Sequence, residues 1–128
     1  MSTASSTMTA ALDGLIQANE SPRREGPSLG NWRWTVRQRM AAVRDALLAE
    51  TGDEPSDGWL AARGGAAFRE RNTLLGRLGD LGARVLEDAD VAAVHNDVAR
   101  LVVDVTHHVQ RLNDLVYDDV ELELGGSE

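Results

Sequence analysis

The sequence predicts an all-α protein: an antiparallel bundle of three long helices, preceded by a short N-terminal helix and followed by an extended acidic C-terminal tail. Apolar residues recur at spacings of three and four through four segments, and clusters of Pro, Gly and Asp separate those segments. The later connections are short, and short connections force neighbouring helices to run antiparallel. With 128 residues and a hydrophobic fraction of 42%, the chain has material for one core, so residues 1–128 are expected to form one domain.

The first helix is expected over residues 7–19, where Met8, Ala11, Leu12, Leu15 and Ile16 share a face. Residues 20–30 hold Pro22, Gly26, Pro27 and Gly30 and read as a linker. Asn31, a good N-cap, is expected to open the second helix, whose seam is Trp32, Val36, Met40, Val43 and Leu47 and which stops at Gly52. Asp53-Glu54-Pro55-Ser56-Asp57 then sets acids at the positive end of a third helix running from Gly58 to Leu86. A turn at Asp88-Ala89-Asp90 leads to a fourth, from Val91 to Asp119, with a wide stripe that includes Val94, Val98, Leu101, Val105, Val109 and Leu112. Over residues 120–128 the period changes: Val120, Leu122 and Leu124 alternate with acids, a pattern suited to an extended segment.

All 13 basic residues are Arg, and against 21 acids they leave a net charge of -8, which argues against a general binder of polyanions. The absence of Cys excludes disulfides, thiolate metal sites and a cysteine nucleophile. The first residues are Ser/Thr-rich without positive charge and no apolar run reaches membrane-spanning length, so a cytoplasmic protein without membrane contact is expected. Charge is segregated: residues 23–44 carry +5 and residues 85–128 carry -9. That polarity predicts the second helix beside the fourth, with Arg33, Arg37 or Arg44 near Asp97, Asp104 or Asp114.

Asp104, His107 and His108 fall at i, i+3 and i+4 on the fourth helix, so both imidazoles can approach the carboxylate. A hairpin about Asp88 places position 108 opposite Glu70 and Arg71. The expected outcome is a partly buried polar layer in which Arg71 pairs with Asp104 and His108 makes a hydrogen bond. The alternative is a metal site made of Glu70, Asp104, His107 and His108, although the Glu-x-x-His element of di-metal bundles is missing. Gly76, Gly79 and Gly82 lack the Lys and Ser/Thr of a phosphate loop and are expected to admit either the Ala92, Asn96, Ala99 side of the fourth helix or the short first helix. Trp32 belongs to the seam of the second helix, which leaves Trp34 outside between Arg33 and Arg37 as an anchor for a partner. The tail residues Val120, Leu122 and Leu124 offer a second contact. The function expected is therefore that of a non-enzymatic interaction protein, without cofactor, that meets a protein partner or a second copy of itself. A nucleic-acid-associated regulator acting through the Arg/Trp helix is a third reading, disfavoured by net charge.

Overall fold

The computed structural model describes residues 3–21, 27–49 and 58–126, with side chains described within 6–21, 28–49 and 65–114. Its elements are α1 (Thr3–Asn19), α2 (Pro27–Leu48), α3 (Gly58–Glu87) and α4 (Val91–Gly126), and the described residues contain no strand. No helix among them is long and apolar enough to cross a membrane.

Helix α2 begins four residues before Asn31, with Pro27 in its first turn, where a missing N–H costs nothing and the fixed φ is already helical. The linker is correspondingly shorter than residues 20–30. The turn between α3 and α4 is built as its acids suggest. The Asp90 carboxylate accepts the N–H of Ala93 at 3.1 Å and so caps α4, while Asp88 accepts the N–H of Asp90 at 2.9 Å. Helix α4 is assigned from Val91 to Gly126, and the acidic tail expected over residues 120–128 falls where side chains lie outside the described residues. The side chains of Val120, Leu122 and Leu124 lie outside the described residues.

Helix α1 packs on α2 and α4, and α3 packs on α2 and α4; the diagonal pairs are not in contact among the described residues. Asn19, Trp32, Asp88 and His95 mark one end of this square. Trp32 donates from Nε1 to the Asn19 carbonyl at 3.2 Å, and Asn19 Nδ2 donates to the His95 carbonyl at 3.1 Å. The end of α1, the start of α2, the end of α3 and the start of α4 therefore coincide, and the four helices alternate up and down. His95 Nδ1 lies 3.0 Å from the same Asn19 carbonyl. A carbonyl only accepts, so that nitrogen carries the proton.

One core receives residues from all four helices: Met8, Leu12 and Leu15; Trp32, Val36, Met40, Val43 and Leu47; Leu74, Leu78, Leu81 and Val85; Val94, Val98, Leu101 and Val105. On α3 and α4 the spacing alternates between three and four, the period of a bundle seam. These seams decide which helices are neighbours, since burying one Leu or Val contributes ~1.5–3 kcal/mol and an exposed ion pair at most ~1 kcal/mol. The expectation that α2 lies beside α4 is accordingly corrected: α2 and α4 are diagonal, and the acids of α4 meet arginines of α3 instead.

Candidate functional site

The α3–α4 hairpin carries rungs at intervals of seven residues. Arg84 pairs with Asp97 at 2.7 Å, Arg77 with Asp104 at 2.8 Å, and Glu70 with Arg111 at 2.5 Å. Seven residues are two helical turns, so each rung repeats the same antiparallel register on the same flank. Arg84 also reaches Asp88 at 3.2 Å, and the hydrogen bonds it donates to Asp97 and Asp88 push its pKa up. Asp88 is held below the ordinary carboxylate range by the backbone N–H of Asp90 and then by Arg84.

At the last rung this flank joins a buried polar layer. His108 and Arg71 occupy seam positions of α4 and α3, and they are 0% and 6% exposed. His108 Nδ1 lies 2.6 Å from Glu70 Oε1, and Arg111 donates to both oxygens of that carboxylate. Burial opposes ionisation of Glu70, but the hydrogen bonds from Arg111 and His108 outweigh it and hold the carboxyl below its ordinary value. The hairpin register thus places Glu70 against His108, as position counting from Asp88 predicts. The sequence reading missed Arg111, although the same count that sets 70 opposite 108 sets it one turn from 111.

The expected Arg71–Asp104 pair does not form. Asp104 lies on the flank, where the register gives it to Arg77, whereas Arg71 points from the seam toward the start of α3, its guanidinium carbon 4.4 Å from the centre of the Phe68 ring. Arg71 Nε is buried without a hydrogen-bond partner. The four residues of the alternative metal site are also dispersed: Asp104 is held by Arg77, His108 by Glu70, and His107 is exposed. Among the described residues no three His, Asp or Glu side chains gather in a way that would hold a metal ion.

A second region lies along α2 and α3. The side chain of Arg37 lies across Gly82, its Nε 3.1 Å from where a Cβ would stand. Arg33 donates to the carbonyls of Val85 at 2.8 Å and Asp88 at 2.7 Å, capping the C-terminal end of α3 with a cation. Arg33, Arg37, Arg44 and Leu48 follow one stripe of α2, and Phe68, Leu75, Gly79, Gly82 and Leu86 follow the facing stripe of α3. Leu48, Phe68 and Leu86 are exposed at separate levels of these stripes, and Trp34 is 64% exposed, while Trp32 is 1% exposed in the core. Spacing therefore separates the two tryptophans correctly. The glycine expectation is corrected. Gly82 faces α2 rather than α4, and at Gly76 and Gly79 nothing comes within 4 Å of the place a Cβ would take, so they admit no close helix.

No family model, no curated protein and no solved structure matches the chain.

Proposed function

We infer that this is a non-enzymatic helical-bundle protein whose work is to contact another protein, and that the contact is made by the α2–α3 face around Trp34. The observation that carries the reading is Trp34 itself: a tryptophan 64% exposed, level with exposed Leu86 and flanked by Arg37, whose guanidinium lies over Gly82. Tryptophan and arginine are the residue types that dominate binding energy when such a surface is covered. Arg33 serves this face indirectly, since its guanidinium is engaged in capping α3. His108 supports a non-catalytic role because it is 0% exposed, which leaves its ring out of reach of a substrate.

The test is a photo-crosslinking amino acid at position 34, compared with one at exposed Asp80, in the cells that make the protein. The expected result is a discrete covalent adduct from position 34 and none from position 80. Equal products from both positions, or none from position 34, would remove this reading.

A further inference from the structure

We propose that Arg37 is the carboxylate-recognition point of the Trp34 face: the partner that docks there presents an Asp or Glu side chain to Arg37 and, beside it, an apolar residue that covers Trp34 and Leu86. The inference rests on the reading of that face as a contact surface and names the chemistry of what it contacts.

Gly82 is the first observation. A glycine inside a helix is unfavourable against alanine, and at position 82 its bare backbone carries the side chain of Arg37. The Cδ, Nε and Cζ atoms of that arginine lie 3.3, 3.1 and 3.5 Å from the place of a Cβ, whereas at Gly76 and Gly79 nothing comes within 4 Å of it. A methyl at position 82 would press on the guanidinium, so the glycine is the floor that lets Arg37 lie across the groove between α2 and α3. The stem is thereby held on α3 instead of ranging through solvent, and a side chain already held in place loses less entropy when it binds.

Charge is the second observation. Arg33, Arg37 and Arg44 follow the stripe of α2 that meets α3, and the stripe of α3 opposite them, Phe68, Leu75, Gly79, Gly82 and Leu86, holds no acid. Arg33 is occupied by the carbonyls of Val85 and Asp88. Arg37 has no ion-pair partner among the described residues: the α3 acids nearest in register, Asp80 and Glu87, are exposed and do not reach it. Helix α1 packs on the other flank of α2, where Arg39 meets Gly14, and α2 and α3 are joined at the end of the bundle away from Trp34.

The register completes the site. Trp34 lies three residues from Arg37 toward the start of α2, and Leu86 lies four residues from Gly82 toward the end of α3; in antiparallel helices those steps lead the same way. A held cation therefore stands between an indole that is 64% exposed and a leucine that is 47% exposed. A guanidinium offers two parallel N–H donors that match the two oxygens of a carboxylate, and an apolar residue seated over Trp34 keeps water from that pair. The net charge of -8 makes a long polyanion a poor occupant, so the local positive site suits a short acidic segment of a protein.

The test is a library of random peptides displayed through their C-termini, so that side chains are the only carboxylates offered, panned against the full chain. The selected peptides are expected to carry Asp or Glu next to a large apolar residue and to bind less tightly as salt rises. Arg37→Gln is expected to weaken them about tenfold or more, and Arg37→Lys, which keeps the charge without the fork, to restore part of that loss. Gly82→Ala leaves every charge in place but lifts the guanidinium from its floor; it is expected to weaken the peptides while the melting temperature stays level or rises, which damage to the fold would not give. Selection of no peptide, or of peptides without an acid, overturns the proposal, and so does wild-type affinity in Arg37→Gln or Gly82→Ala. Peptides lost with Trp34→Ala but untouched by Arg37→Gln would overturn this inference alone and leave the Trp34 face standing, whereas acidic peptides indifferent to Trp34→Ala would remove both.

Discussion

Replacing Glu70 by glutamine keeps the size of the side chain and removes its charge, and the structure sets what that costs. The carboxylate accepts from His108 Nδ1 at 2.6 Å and from Arg111 at 3.1 and 2.5 Å. His108 is fully buried, so its nitrogen cannot turn to water when the acceptor weakens, and an amide has one oxygen to offer two donors. Exchanging a charge-assisted hydrogen bond for a neutral one at His108 loses ~1–2 kcal/mol. The Arg111 pair, exposed on the arginine side, adds less than ~1 kcal/mol. A loss of about 2 kcal/mol lowers the melting temperature by about 8 °C for a chain of this size. Asp104→Asn is the control: its pair with Arg77 has side chains 38% and 39% exposed, so it should cost under ~1 kcal/mol. Urea denaturation of both variants at neutral pH reads the difference. Equal losses, or a smaller loss for Glu70→Gln, would refute the claim that the buried layer holds this end of the bundle together.

Acid should expose the same group. The folded pKa of Glu70 lies below its ordinary value of 4.5, so its contribution is complete above that value and is lost as pH falls through the lowered folded one; Glu70→Gln should flatten the acid limb of a stability-against-pH curve. Arg33→Met should lower stability by about 1–2 kcal/mol, because the carbonyls of Val85 and Asp88 lose a cationic donor; a melting temperature unchanged from wild type would contradict the capping role. Gly76→Ala and Gly79→Ala should each stabilise by about 0.5–1 kcal/mol, since nothing stands within 4 Å of the added methyl and alanine favours the helix. Gly82→Ala should gain less than either, because the Arg37 side chain must move aside; calorimetry on the three variants gives the order directly.

The rung pattern explains how a chain rich in charge keeps a specific register. A slip of α4 by one heptad against α3 would set Arg77 against Asp97 and Arg84 against Asp90, still favourable, but it would set Glu70 opposite Asp104 and leave His108 without its carboxylate. Inverting the sign at the last rung therefore discriminates between registers that the repeating Leu/Val seam alone would accept. The polar residues that weaken the core locally are the ones that say which core it is.

Helix content, the seam residues, the Asp88–Asp90 turn and the separation of Trp32 from Trp34 were legible in the sequence, because all of them follow from local periodicity and from residues that start or stop a helix. The pairing of Glu70 with His108 was also legible, since a short turn fixes the register of a hairpin by counting. The neighbours of α2 were not, because net charge along a segment does not reveal which way each side chain points, and exposed charges are too weak to choose helix partners against buried Leu and Val. Nor was the fate of Arg71: counting placed it inside, but only the three-dimensional arrangement shows Asp104 on a different flank of the hairpin, taken by Arg77. The sequence by itself determined where helices form and which face of each is apolar, since both are properties of neighbouring residues. The tertiary structure alone decided which charges meet and where α1 and α2 leave off beside their longer partners, since those depend on how four helices share one core.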